Sequence, residues 1–350
     1  MKLDQVLKGS YQRYIIADFL SAIFFDKRIP LVIDNVSDGE IAALRDKLLD
    51  CYGDVSIVCE CDGNDVETSV SQLSDGMSVD TVIIDGCAVT ECKRFGFSDF
   101  VQIMKRLRAD DGCEWDKAQT HSSIRINLIE EAYELVEGID CNDADMMREE
   151  CGDVLMQAVF HTEIAQEDGE FGYYDMLTEL CRKLIDRHTH IFGKNHAGNA
   201  DEALVFWNEA KKKEKKYKST SDAMSRVPKN LPSLLYAEKV QKLAKKAGFD
   251  WDNPIGAIEK LKEEISELAE ADDAHRTEEA GDLLFAAMNV VRMYGVEAEM
   301  ALRGASDKFM RRFEGVEKLV LQSGKEMSEY TLEQLDAFWE EVKSQERENN

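Results

Sequence analysis

Acidic residues recur at three-residue spacing in the last two thirds of the chain. The pairs are Glu131 and Glu134, Glu150 and Asp153, Glu264 and Glu267, and Glu279 and Asp282. Residues three apart lie on one face of a helix, and a short connection makes two successive helices pack as neighbours. Four carboxylates would then converge and repel one another unless a divalent cation bound them. Carboxylate oxygens favour Mg²⁺, or Mn²⁺, over zinc.

The chemistry expected of such a site is phosphate chemistry. Magnesium held by a few carboxylates usually takes its remaining ligands from water and substrate phosphates, and it can polarise a phosphoryl oxygen. Lys308 and Arg312 lie one helical turn apart and could bind phosphate oxygens that the metal leaves exposed. Trp339 offers an aromatic face on which a base could stack.

The acidic pairs belong to an internal repeat. The first copy reads Trp115-Asp116, Glu130-Glu131-x-x-Glu134 and Glu149-Glu150-x-Gly152-Asp153. The second copy reads Trp251-Asp252, Glu263-Glu264-x-x-Glu267 and Glu278-Glu279-x-Gly281-Asp282. Lys183-x-x-x-Arg187 and Trp207 also match Lys308-x-x-x-Arg312 and Trp339. Several features in the same order indicate duplication.

A solvated helix face is the alternative explanation of the glutamates, because such faces are often acidic. Two observations favour a metal site. Apolar core-type sequence follows Asp153 and Asp282 directly, and glycine stands beside each acid although it is unfavourable within a helix. We expect Gly152 and Gly281 to permit close approach of a helix or a ligand.

The elements that position these residues are predicted to be mainly α-helical. Helices are expected at about 122–139, 143–167, 173–190 and 201–218 in the first copy, and at 233–247, 255–271, 276–294, 297–322 and 332–347 in the second. Ser98 is expected to cap a helix that precedes them, and Gly248, Gly295 and Gly324 to end helices.

The first 95 residues differ from the rest. Ile29–Ile33, Val55–Cys59 and Val79–Ile84 read as strands, and Leu44–Leu49 as part of a helix, so strand and helix should alternate in a small α/β unit. This unit has no glycine-rich phosphate loop. The predicted domains are therefore residues 1–95, 97–218 and 228–347.

Composition limits the partners of the chain. Its 350 residues include 43 Lys and Arg against 70 Asp and Glu, a formal charge of −27. Such a charge disfavours nucleic acid, although metal ions can bring an acidic protein and an anionic substrate together. The nine cysteines are scattered and no apolar run is long enough to span a membrane. We expect a cytoplasmic protein with no membrane partner.

The helical part resembles the MazG family. The resemblance rests on Trp115-Asp116-Lys117-x-Gln119-Thr120-His121, Glu130-Glu131-Ala132-Tyr133-Glu134 and Arg187-His188-x-His190-x-Phe192-Gly193 in the first copy, and on Gly248-Phe249-Asp250-Trp251 and Glu279-x-Gly281-Asp282 in the second. It implies an all-α, usually homodimeric enzyme that hydrolyses nucleoside triphosphates to monophosphate and pyrophosphate with Mg²⁺.

The resemblance also implies roles for single residues. Glu264, Glu267, Glu279 and Asp282 would be the catalytic metal ligands, and Lys308, Arg312 and Trp339 would hold the nucleotide. Asn289, which follows Asp282 on the same helix, is interpreted as a sugar or base contact, and a polar residue at a helix edge is the alternative interpretation. Glu131, Glu134, Glu150 and Asp153 would bind metal in the first copy, although this copy has Phe160-His161 where the second has Asn289-Val290. The second copy is expected to be the catalyst, with a house-cleaning role in the nucleotide pool.

Other interpretations remain open. The N-terminal residues resemble the end of a tetrapyrrole methylase domain and are interpreted as a degenerate remnant without methylase activity. A non-catalytic nucleotide sensor or helical scaffold is an alternative to the enzyme, and an enzyme tuned to one nucleotide is another. Base selectivity depends on the shape of the pocket, which sequence does not reveal.

Overall fold

The structure of the protein is a computed structural model, which describes residues 9–22, 25–215 and 217–348. The chain is mainly α-helical and has one small sheet near its N-terminus, which confirms the predicted fold class. It divides into two compact units, Met1–Asp186 and Arg187–Asn350. Because this division does not correspond one to one with the three expected domains, their boundaries stay a prediction.

The sheet has five strands in the order β1-β2-β5-β3-β4. They are β1 (Gln12–Ile15), β2 (Leu31–Asp34), β3 (Ser56–Cys61), β4 (Asn64–Ser69) and β5 (Thr81–Ile84), with helices α1 (Ile16–Ser21) and α2 (Ile41–Cys51) between them. The pair β1–β2 is parallel, and the other pairs are antiparallel. The three predicted strands and the predicted helix are confirmed, but the sequence missed β1 and β4.

Strand β4 was missed because it lacks apolar alternation. Four of its residues from Asn64 onward are exposed at the sheet edge, so the two-residue period that marks a half-buried strand is absent. The turn before it explains the pairing, since Asp62 and Gly63 have φ of 50° and 77°. Two successive residues with positive φ are typical of a tight hairpin turn. A β3–β4 hairpin therefore replaces the strict alternation of strand and helix.

The helices of the first unit follow the sheet. They are α3 (Phe97–Arg108), α4 (Glu114–Ala118), α5 (Arg125–Asp140), α6 (Ala144–Glu167) and α7 (Tyr173–Arg187), the last of which ends one residue into the second unit. The expected cap at Ser98 is wrong. Gly96 is the N-cap of α3, and Asp99 accepts a hydrogen bond from the Gly96 amide at 2.8 Å. In a capping box the acid at the third helical position accepts a hydrogen bond from the backbone amide of the N-cap residue.

The second unit contains the remaining helices. They are α8 (Thr189–Phe192), α9 (Ala200–Lys215), α10 (Thr220–Ser225), α11 (Ser233–Lys246), α12 (Pro254–Glu270), α13 (Arg276–Met293), α14 (Ala298–Gln322) and α15 (Leu332–Glu348). Gly248, Gly295 and Gly324 follow α11, α13 and α14 with φ between 74° and 87°, as predicted for helix ends. No helix among the described residues is long and apolar enough to cross a membrane.

Candidate active site

The acidic residues of the second copy meet between α12 and α13, which pack against each other. Glu264 from α12, with Glu279 and Asp282 from α13, place carboxylate oxygens within 4.8 Å of one another. Glu264 is only 5% exposed, whereas Asp282 is open to solvent. Glu267, the fourth predicted ligand, is exposed and lies outside this triplet.

The first copy repeats this arrangement between α5 and α6. Oxygens of Glu131, Glu150 and Asp153 lie within 4.8 Å of one another, and Glu134 again lies outside the triplet. Glu150 is 8% exposed, and its Oε2 is buried without a hydrogen-bond partner. A buried carboxylate oxygen with no donor is costly, and a bound cation would satisfy it.

Crowding of like charges perturbs these carboxyls. Burial, followed by the charges of Asp153 and Glu134, raises the pKa of Glu131. Burial, followed by the charge of Glu134, likewise raises the pKa of Glu150. In the second copy burial raises the pKa of Glu267, whereas the positive charge of Lys260 acts to lower it. Burial, together with the charges of neighbouring carboxylates, therefore disfavours the ionised forms of these groups.

A lysine that the sequence analysis did not single out lies in the second cluster. Lys260 Nζ is 2.6 Å from Glu263 Oε1, 2.8 Å from Glu264 Oε1 and 3.9 Å from a Glu267 oxygen. Hydrogen bonds to Glu263 and then Glu264 raise the pKa of Lys260. Lys260 precedes Glu264 by one helical turn, so the sequence already indicated that the two side chains are neighbours. The first copy has Asn127 at the matching place.

A cavity of 480 Å³ opens beside the second acidic triplet. Glu264, Asp282 and Lys260 line one part of it, and apolar and aromatic side chains line a second part. Those side chains are Val240, Ala244, Phe249, Trp251, Ala257, Phe285 and Ala286. A concave site with an apolar wall and a few polar groups is typical of a small-molecule pocket.

Trp251 occupies its place in the wall because residue 256 is glycine. A Cβ at Gly256 would overlap the indole ring of Trp251, so any larger residue would move one or the other. The repeated tryptophan is therefore held against the start of α12. This contact gives the Trp251-Asp252 motif a structural role next to the cavity.

Buried polar residues form the remaining wall of the cavity, and Arg292 is at their centre. The Arg292 side chain is 4% exposed, and it donates to both carboxylate oxygens of Asp250 at 2.6 and 3.2 Å. It also donates to Asn289 Oδ1 at 2.6 and 2.9 Å and to Gln241 Oε1 at 3.3 Å. The hydrogen bonds from Arg292 lower the pKa of Asp250.

The expected nucleotide-binding residues of α14 and α15 form a separate group. The Arg312 guanidinium lies 5.9 Å from the Trp339 ring centre and donates to Glu346 at 2.8 Å, while Lys308 is exposed one turn earlier. None of Lys308, Arg312 and Trp339 lines the cavity. Of the predicted substrate contacts, the structure therefore brings only Asn289 to the cavity.

Arg312 contacts Trp339 and Glu346 together, and the same kind of contact occurs in the first copy of the repeat. Arg187 lies 5.3 Å from the Trp207 ring and donates to Glu214 at 2.8 Å. Both glutamates follow their tryptophan by seven residues, a signal that the sequence analysis overlooked. This shared contact supports the duplication independently of the acids.

The glycines beside the acids do not serve close packing. A Cβ at either Gly152 or Gly281 would meet no atom within 4 Å. The expected close approach of a neighbouring helix is therefore wrong, because both positions face open space. Close approach of a ligand stays a prediction.

Comparison with known proteins agrees with this geometry. Residues 119–192 match the MazG nucleotide pyrophosphohydrolase domain. A nucleoside triphosphate pyrophosphohydrolase/pyrophosphatase MazG of Thermotoga maritima is 44% identical over 248 residues, which are 71% of this chain and 95% of the relative. The chain belongs to the MazG family. A nucleoside triphosphate pyrophosphohydrolase of Escherichia coli K12 is 41% identical over 251 residues, which are 70% of this MazG-family chain and 95% of the relative.

A further MazG relative extends the similarity to the sheet. The uncharacterized protein YabN of Bacillus subtilis is 37% identical over 350 residues, and the match covers 96% of this chain and 71% of YabN. The interpretation of the N-terminal residues as a methylase remnant stays a prediction.

The two MazG copies differ around equivalent acids. Phe160 takes the place of Asn289 and is buried in an apolar cluster, with the Arg108 guanidinium 5.2 Å from its ring. Glu163 stands where the second copy has Arg292, and Asn127 where it has Lys260. The acids are therefore duplicated, but the polar residues around them are not.

Proposed function

We propose that this protein hydrolyses nucleoside triphosphates to monophosphate and pyrophosphate, and that the second copy is the catalyst. Glu264, Glu267, Glu279 and Asp282 are the proposed catalytic and metal-binding residues. The observation that carries the proposal is the 480 Å³ cavity, which has two acids of the triplet in its wall. The printed names of the Thermotoga and Escherichia relatives describe the same activity.

Magnesium is the proposed cofactor, and Mn²⁺ fits the same ligands. Both triplets consist of carboxylates alone, and the unpartnered Oε2 of Glu150 shows a buried oxygen in need of a positive charge. Glu264, Glu279 and Asp282 would hold the ion in the second copy, with Glu267 at its edge. When bound, the ion supplies charge neutralisation and Lewis acidity at a phosphoryl oxygen.

Residues of the chain itself would bind and orient the nucleotide. Lys260 lies among the acids and can exchange its glutamate contacts for a phosphate oxygen. The apolar wall of the cavity offers aromatic and aliphatic side chains against which an apolar part of the nucleotide could pack. Lys308, Arg312 and Trp339 are proposed to hold a part of the nucleotide that projects beyond the cavity.

A homodimer is proposed because apolar side chains on α14 are exposed. Leu302, Phe309 and Met310 are 57%, 57% and 67% exposed and share one face at helical spacing. Exposed apolar patches of this kind mark protein interfaces. Light scattering should show a dimer, and Phe309→Asp with Met310→Asp should give a monomer. A wild-type monomer at micromolar concentration would contradict the proposal.

Product identification tests the reaction. Phosphate is measured with malachite green, with and without added inorganic pyrophosphatase, on a panel of ribo- and deoxyribonucleoside triphosphates in Mg²⁺ or Mn²⁺. We expect phosphate only when pyrophosphatase is present, and no signal in EDTA. Phosphate without pyrophosphatase would contradict the reaction type. Binding without turnover would favour the sensor or scaffold.

The width of the same panel tests the physiological proposal. Turnover of many nucleotides is expected of a cytoplasmic house-cleaning enzyme, whereas turnover of one nucleotide would indicate a dedicated enzyme. The nine cysteines are all free thiols, which supports a cytoplasmic location.

A further inference from the structure

The side-chain amide of Asn289 is held in one orientation. Its Oδ1 accepts two hydrogen bonds from Arg292, from Nε at 2.9 Å and from Nη2 at 2.6 Å. A guanidinium only donates hydrogen bonds, so the atom of Asn289 that faces it must be the oxygen. The orientation of this amide therefore follows from chemistry, and the NH₂ group must point away from Arg292.

Arg292 is itself fixed. Asp250 accepts from both of its terminal nitrogens, and both side chains are at most 12% exposed. Gln241 accepts from Arg292 Nε and donates through Nε2 to the Phe285 carbonyl at 3.0 Å, so both ends of that amide are engaged. The guanidinium cannot rotate away without breaking several hydrogen bonds.

The Nδ2 of Asn289 remains available. Asn289 lines the cavity, and among the described residues no acceptor pairs with Nδ2. The hydrogen bonds from a cation to Oδ1 polarise the amide and strengthen its NH₂ as a donor. A ligand group that meets Asn289 must therefore be a hydrogen-bond acceptor.

We propose that Arg292 is a positioning residue that presents the Asn289 NH₂ to the cavity, so that the site selects nucleobases with an acceptor at that edge, keto over amino. The selectivity rests on the proposed function of the second copy. It adds to that function a preference for keto bases over amino bases, and it names Arg292 as the residue on which this preference depends.

The base, rather than the phosphates, is the part of the nucleotide that fits here. Asn289 lies seven residues after Asp282 on α13, or roughly 10 Å along the helix axis. The cavity wall includes the aromatic side chains of Phe249, Trp251 and Phe285, whose faces suit stacking on a base. Asp250 and Arg292 neutralise each other in this wall, so it offers no net positive charge to a phosphate.

The first copy lacks the amide and the arginine of this arrangement. Phe160 replaces Asn289 and Glu163 replaces Arg292, whereas Glu114, also an acid, stands at the place of Asp250. Phe160 is packed among apolar side chains and presents no polar atom. The polarity of recognition is therefore assigned to the second copy alone.

Two pairs of substrates test the proposal, since ITP and ATP differ at position 6 of the purine and UTP and CTP at position 4 of the pyrimidine. We expect kcat/KM to favour the keto member of at least one pair by about fivefold, the size of one hydrogen bond. Asn289→Asp keeps the oxygen that accepts from Arg292 but offers a second oxygen to the cavity. The preference should then reverse, while Asn230→Asp, an exposed position with the same charge change, should leave it unchanged.

Arg292→Lys tests the positioning role. A lysine keeps the charge beside Asp250 but cannot hold Asp250 and Asn289 together, so the amide can turn. The keto preference should fall to about one, through KM rather than kcat, with all four substrates still hydrolysed. A variant that slows all four equally and keeps the preference would assign Arg292 a structural role only. A wild-type ratio near one in both pairs would overturn the proposal.

Equilibrium binding separates this proposal from the reaction. If the wild-type protein releases no pyrophosphate from any nucleotide, the proposed function fails. Calorimetry of IMP and AMP binding to the wild type and to Asn289→Asp still tests whether the cavity prefers a keto base. Equal affinity of IMP and AMP in both proteins, or weaker binding to Asn289→Asp with the same ratio of the two affinities, would contradict the proposal.

Discussion

Neutralising the second acidic triplet should remove most of the activity. Glu264→Gln with Asp282→Asn keeps the size of both side chains and removes two charges. In the wild type the three carboxylates of the triplet outweigh the single Lys260 ammonium, which lies 2.8 Å from Glu264. In the double variant Glu279 is the one charged acid left in the triplet and Lys260 balances it, so most of the attraction for a divalent cation is lost.

The size of the effect follows from what the cation contributes. Lewis-acid stabilisation of a phosphoryl transition state is worth several kcal/mol. Losing about 3 kcal/mol lowers the rate roughly 150-fold, since about 1.4 kcal/mol corresponds to a factor of ten. The assay is Mg²⁺-dependent pyrophosphate release from a nucleoside triphosphate, with calorimetry of Mg²⁺ binding alongside.

Glu131→Gln with Asp153→Asn is the matched control. It removes the same charges from the same helix positions of the first copy, where Asn127 replaces the lysine. We expect its activity to remain within about twofold of the wild type, or roughly 0.4 kcal/mol in the barrier, because the proposed catalytic residues of the second copy are unchanged. Near wild-type activity of the second-copy variant, or an equal loss in both variants, would refute the assignment of catalysis to the second copy.

Three further predictions concern stability and the cavity. Asp250→Asn leaves the buried Arg292 without its counter-charge and should lower the free energy of unfolding by about 3 kcal/mol in urea titration; a change below about 1 kcal/mol would contradict a buried pair. Gly256→Ala should displace Trp251, seen as altered tryptophan fluorescence, and raise KM severalfold with little effect on kcat; an unchanged spectrum and KM would show that α12 adjusts instead. Burial and nearby charges raise the pKa of Glu131, so the carboxyl group of Glu131 binds a proton more tightly in the metal-free folded state than in the unfolded chain. The stability that this proton contributes is therefore lost as pH rises above about 4.5. Thermal melts in EDTA should therefore show a smaller fall between about pH 5 and pH 7 in Glu131→Gln than in the wild type, and an equal fall would contradict the raised pKa.

Much of the helical fold could be predicted from the sequence. The strongly periodic segments near the acids were located to within a few residues, since each end of α12 and α13 lies within one residue of its expected bound. The edge strand β4 and the cap of α3 could not be predicted in this way. Both depend on hydrogen bonds to the backbone, of β3 in one case and of Gly96 in the other, and neither leaves an apolar pattern.

The acids themselves show where prediction from spacing ends. The three-residue spacing correctly predicted that Glu264, Glu279 and Asp282 would converge, because helix geometry fixes which residues share a face. It did not separate Glu267 and Glu134, which lie outside the triplets although their spacing is the same. How far each carboxylate points into the gap between two helices depends on the crossing of those helices, which one helix alone does not determine.

The sequence by itself determined the duplication, the acidic pairs and the family, because these depend only on the order and spacing of residues along the chain. Only the tertiary structure decided what surrounds the acids. Gln241, Asp250 and the α13 pair Asn289 and Arg292 come from three different segments, yet they meet in one buried network beside the cavity. Hydrogen bonds and ion pairs form between groups that folding brings close in space. The polarity of the proposed base site is therefore a property of the fold.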